Sequence, residues 1–81
     1  MEQFYFHVTR NGIRTSDNAG LSFPDRQGAC DDALQKMPDL LNSTLKARST
    51  YVTIEICDAR DTLCVVRGSI RIEHWQRTSA H

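Results

Sequence analysis

The residues best equipped for chemistry in this sequence are three cysteines, three histidines and a group of arginines toward the C-terminal end. Cys57 and Cys64 flank Asp58-Ala59-Arg60-Asp61-Thr62, a stretch of turn-forming composition. A symmetric turn centred between Arg60 and Asp61 sets the two thiols directly opposite each other across a hairpin. In a non-hydrogen-bonded antiparallel pair the Cα atoms approach to about 4.5 Å, within disulfide reach. Cys57 and Cys64 are therefore a candidate redox pair, expected to stay as thiols in a reducing compartment. Cys30 falls on the apolar stripe of a helix and reads as core.

His7 stands on a strand face opposite Ser16 and lacks a second His, Cys or carboxylate at metal-ligand spacing, so a surface histidine is expected rather than a base or ligand. His74 and His81, near the end of the chain, carry no further signal. Asp31, Asp32 and Asp39 resemble paired carboxylates, but helical spacing puts them away from Leu34 and Met37, where charges are solvated. Asp31 and Asp32 also complement the helix dipole. No catalytic residue, metal site or cofactor is expected, and the chain does not read as an enzyme. Arg67, Arg71, Arg77, His74 and Trp75 form the one locally basic segment with an aromatic residue. With an exposed Tyr5 on the same sheet, it offers a surface for RNA or DNA. The same arginines equally protect a long edge strand from promiscuous pairing.

The elements that must position these residues follow from periodicity. Phe4, Phe6 and Val8 alternate with Tyr5, His7 and Thr9, the pattern of a half-buried strand. Asn11-Gly12 suits a two-residue type I′ turn, which sets Val8 opposite Thr15 and Thr9 opposite Arg14. The returning strand, Ile13 to about Asp17, is short and polar. A loop, Asp17-Asn18-Ala19-Gly20, leads to Leu21-Ser22-Phe23 and to Asp25 as helix N-cap, with Phe23 placed to staple the first turn. Cys30, Ala33, Leu34, Met37, Leu41 and Leu45 then form one apolar helical stripe. Pro38 predicts a kink or a fresh helix start, and Arg48-Ser49-Thr50 ends the helix.

Tyr51 to Asp58 is a second alternating strand with Val52, Ile54 and Ile56 buried. Leu63 to about Trp75 is a long final strand. Under the symmetric turn, Ile56 faces Val65 and Asp58 faces Leu63, which sets Ile70 and Ile72 on the wrong side. Either a bulge near Gly68 restores them to the core, which is the favoured reading, or a partner buries the far half of the strand on its other side. The result is an α+β fold of ββαββ order: a four-stranded antiparallel sheet, order 2-1-3-4, with one kinked helix on one face. Residues 1–81 form a single domain with an ordered core from about Phe4 to Trp75 and a frayed tail at 76–81.

Composition narrows the function classes. Ten basic and ten acidic residues cancel, six of each sign through Arg48 and four of each after it. Binding that rests on phosphate contacts usually carries a basic surplus, so nucleic acid is the second reading. No segment approaches the roughly 20 apolar residues of a membrane helix. The N-terminal residues lack the basic region of a signal peptide. An odd cysteine count suits a reducing compartment, so a cytoplasmic location is expected.

Phe4-Tyr5-Phe6-His7-Val8, Asn11-Gly12, Asp17, Gly20, Pro24-Asp25, Ala29, Ala33-Leu34, Met37-Pro38 and the closing hairpin together resemble a family of short bacterial proteins classed as a domain of unknown function (family 6894). The resemblance runs from about Phe4 to Trp75 and is most specific from Asp17 through Ala33. Three positions depart from the family pattern: Ala19, where the loop is often acidic; Gly28, usually a better helix former; and Arg60-Asp61, where a Gly is usual. The resemblance implies the fold and brings no activity. The residues read as a small non-catalytic module that binds another protein, foremost a second copy of itself. The expected interface is the C-terminal strand, with Arg67, Ile70, Arg71, Ile72 and Trp75.

Overall fold

Alternation at the N-terminus produces β1, Glu2–Arg10. The structure, a computed structural model, describes residues 1–43, 49–73 and 75. Asn11 and Gly12 both take positive φ, 48° and 87°, as a type I′ turn demands. The chain returns as β2, Ile13–Thr15, with Val8 opposite Thr15 and Thr9 opposite Arg14 as expected. β2 stops before Ser16, so His7 does not face that residue. Leu21–Phe23, expected as a lead-in to the helix, is a strand of its own. This β3 pairs with β1 from Glu2 to Phe4. Asp25 caps α1, Arg26–Asn42, by accepting the Gly28 amide at 2.8 Å. Two long strands close the fold, β4 at Ser49–Cys57 and β5 at Thr62–Arg71.

The sheet is antiparallel in the order β2-β1-β4-β5, with β3 added to β1. This is the expected 2-1-3-4 order with one more strand counted. Phe4, Val52, Ile54 and Ile56 are buried on one face beneath Ala29, Ala33 and Met37 of α1. Phe23 completes this face, its ring 6.1 Å from that of Phe4 and 5.9 Å from that of Phe6.

The last hairpin departs from the symmetric turn. Cys57 pairs with Thr62 and Ile56 with Cys64, so Leu63 is the extra residue of a bulge. From there the ladder runs unbroken to Ser49 opposite Arg71. Leu63 and Cys64 both pack against the core, as the two residues of a bulge do when they share a side. The reset thus occurs at the turn and not near Gly68. It puts Cys64, Val66, Gly68 and Ile70 on the helix side and Val65, Arg67 and Ser69 on the open side. Gly68 serves packing instead: a Cβ there would lie 2.8 Å from both Cγ and Sδ of Met37 and 3.1 Å from Leu41. The final strand also ends at Arg71, short of the expected Trp75.

The helix is rotated from the expected stripe. Ala29, Ala33 and Met37 are buried, with Cys30, Leu40 and Leu41 packed alongside, whereas Leu34 is 62% exposed. The two alanines are small enough to bring the helix axis close to the sheet, which turns Leu34 outward. α1 continues through Pro38 as one element with no fresh start. Pro38 is exposed, so the Leu34 carbonyl that loses its amide partner lies on the solvent side. Ser43 caps the helix by donating its amide to the Asp39 carbonyl at 3.0 Å. Ser49 and Thr50, expected to end the helix, belong to β4. Leu45, His74 and the 76–81 tail lie outside the described residues.

Candidate functional site

The polar groups on the open side gather around two carboxylates. Asp17 sits where the chain leaves the sheet between β2 and β3. Its Oδ2 accepts the Phe6 amide at 3.1 Å, and its Oδ1 accepts the amides of Ala19 and Gly20, each at 3.0 Å. These amide donors, with Gly20 strongest and Phe6 next, hold its carboxyl below the usual aspartate range. Asp17 in turn donates its own amide to His7 Nδ1 at 3.1 Å. The neutral imidazole therefore carries its proton on Nε2. His7 thereby braces this loop.

Glu55, opposite His7 on β4, forms the second node. Thr62 donates to its Oε2 at 2.7 Å, and Arg14 donates to its Oε1 at 3.0 Å. The Thr62 hydroxyl first and Arg14 second hold Glu55 below its usual range. Thr62 also lies 3.6 Å from the Cys57 sulfur. The open face thus carries a row from thiol to hydroxyl to carboxylate to guanidinium. Each group in the row has its neighbour as a partner. Among the described residues no group of three or more His, Cys, Asp or Glu side chains is placed to hold a metal ion.

The bulge at Leu63 moves the candidate redox pair apart. Cys57 and Cys64 are not cross-strand partners, and they emerge on opposite faces of the sheet. Cys64 instead forms a disulfide with Cys30 of α1, and Cys57 is the free cysteine. Cys30 does lie on the packed face of the helix, but its sulfur tethers that helix to β5. Sequence reasoning missed this pair because the one-residue bulge decides which face Cys64 occupies.

Asp31 and Asp32 do not form a carboxylate pair. Gln27 donates to Asp31 at 2.9 Å, and Lys36 pairs with Asp32 at 2.7 Å while standing 5.1 Å from the centre of the Phe6 ring.

The residues expected at the interface divide between the sides of β5. Arg67 and Arg71 point to the open side, where Arg67, Tyr51, Thr53 and Ser69 line a shallow cavity of about 400 Å³. Ile70 is half-buried on the helix side, and Ile72 just beyond the strand is 50% exposed. Trp75 is 88% exposed, and Arg71 lies 3.9 Å from Glu73 of its own chain. Among the described residues β5 pairs on one side alone, with β4. The opposite margin of the sheet is blunted, with β2 and β3 three residues each and the Asp17 loop between them.

A family described as Domain of unknown function (DUF6894) matches residues 3–69. The chain belongs to that family. No curated protein and no solved structure matches it. The DUF6894 match takes in every element from β1 into β5, so the fold described above is the fold of the matched segment. It includes the Asp17 loop and the Asp25 cap, and it stops short of Ile72, Glu73 and Trp75. The part of this DUF6894 chain that most specifically carries the resemblance, Asp17 through Ala33, is explained by architecture. Asp17 replaces missing strand partners, Asp25 caps the helix, and Gly20 takes φ +74° where a Cβ would lie 2.7 Å from Gln3 Nε2 and 2.9 Å from the Phe4 carbonyl.

Proposed function

We propose that this protein is a small, non-catalytic interaction module that associates with a second copy of itself through the outer edge of β5. The observation that carries this reading is the edge itself. β5 spans ten residues, its far side is unpaired among the described residues, and Ile72 and Leu34 leave apolar surface exposed near it. A long edge of unsatisfied amides and carbonyls is a template for another strand, and its most available partner is an identical edge. Arg67 and Arg71 lie on the open side, clear of the apolar surface, so they leave the helix side free to pack.

Sedimentation at concentrations of tens of micromolar tests this. Twice the chain mass is expected for the native sequence, and a folded monomer for Ile72→Lys. A native chain that sediments as a monomer would contradict the proposal. The second reading, contact with RNA or DNA through Arg67, Tyr51 and Arg71, rests on the cavity that Arg67 and Tyr51 border. Balanced overall charge and the neighbouring Glu55 keep it second. A mobility shift on random nucleic acid at low salt that fades as salt rises would favour it.

A further inference from the structure

We infer that the two copies meet across a two-fold axis beside Gly68, with Leu34 of each copy covering the paired strands from the helix side; this rests on the self-association proposed above. In a symmetric antiparallel pair one residue stands opposite its own copy, and residues equally distant on either side of it face each other. That condition leaves few choices along β5. A centre at Arg67 or Arg71 opposes two guanidinium groups, and a centre at Ser69 opposes Arg67 to Arg71. Like charges directly opposite are destabilising. Centres before Val66 run into the bulge at Leu63, and centres beyond Arg71 leave the strand. A centre at Ile70 keeps barely one residue of strand on its far side, and a centre at Val66 sets Ile70 opposite the polar Thr62 beyond the bulge and Ile72 opposite Arg60 of the turn.

A centre at Gly68 meets every condition. On the helix side Val66 faces Ile70 and Cys64 faces Ile72, so each copy covers the isoleucines of the other. On the open side Arg67 faces Ser69 and Arg71 faces Val65, and no like charges oppose. Leu34 belongs to the same surface. Cys30 is bonded to Cys64, Met37 and Leu41 lie over Gly68, and Lys36 lies over Phe6 of β1. At about 100° per residue, Leu34 falls about 40° beyond Cys30 on the side away from Lys36, overhanging the β5 edge. This accounts for a leucine 62% exposed on a helix whose buried residues are alanine and methionine.

Directed cross-linking reads the register. In a Cys57→Ser background, Arg67→Cys and Ser69→Cys chains are prepared separately, oxidised with diamide alone or after mixing, and sedimented in parallel. Diamide takes two electrons and two protons from each thiol pair that closes. With Gly68 on the axis, an Arg67→Cys chain stands directly opposite a Ser69→Cys chain, while identical chains place their thiols on a diagonal about 7–8 Å apart, beyond disulfide reach. The expected result is a covalent dimer in the mixture several-fold above either chain alone. A sedimenting dimer in which Arg67→Cys or Ser69→Cys links to itself, or in which no link forms, would overturn the register while leaving self-association standing. A sedimenting monomer would overturn both.

Discussion

Asp17 is held in its ionised form by three backbone amides, and this ties local geometry to pH. Folding favours the carboxylate, so the native chain releases the proton at lower pH than the unfolded chain does. The stabilisation is complete above the ordinary value of 3.8 and is lost as pH falls through the lowered native value. Asp17→Ala should therefore cost about 1–2 kcal/mol at neutral pH, and the gap to the native protein should narrow in acid. Urea titrations at the two pH values measure both. Gly28 offers the opposite case. A Cβ there would find ordinary contacts, 3.4 Å to Asp25 Oδ1 and 3.7 Å to Phe23, so Gly28→Ala should stabilise the fold by up to about 1 kcal/mol through helix propensity. Thermal melts that show no gain would contradict it. Asp25 as a cap and Asn11-Gly12 as a turn were legible in the sequence because each acts within four residues of chain. The Asp17 role was not, since its partner Phe6 lies eleven residues away and only the fold brings them together.

At the scale of elements, one bulged residue decided most of what was misread. Alternation identifies a strand but not its phase across a turn. Placing Leu63 as the extra residue reverses the faces of Val65 and Cys64, separates Cys57 from Cys64 and brings Cys64 to Cys30. The helix phase was equally ambiguous, because the sequence favours the larger Leu34 as a core residue while the structure packs the smaller Ala29 and Ala33. A charge at Leu34, expected from the sequence to unfold the domain, therefore lands on the surface. Leu34→Asp should keep a cooperative transition near that of the native chain while weakening self-association. Loss of the transition would show that Leu34 is core after all. The Cys30–Cys64 disulfide closes a loop with sequence separation 34, for which chain entropy suggests a stabilisation of about 3–4 kcal/mol. Reduction should lower the urea midpoint accordingly, and Cys30→Ser should reproduce the loss without reductant.

For the whole molecule, the sheet has two unlike margins. One is broken into β2, the Asp17 loop and β3, a form that resists pairing. The other is β5, held to the helix by a disulfide and to β4 by a ladder unbroken from Cys64 to Arg71, with its outer amides directed away from both. The order of strands was legible from apolar content, since β1 and β4 belong at the centre of the sheet. The proposed use of the β5 edge is a property of two chains together. Amide hydrogen exchange of β5 at high and low protein concentration tests it most directly, because every second amide of that strand points away from β4. If two copies pair there, those outward amides exchange slowly in the concentrated sample and quickly on dilution, while the inward set stays protected in both. Outward amides that exchange equally fast at both concentrations would contradict pairing through β5.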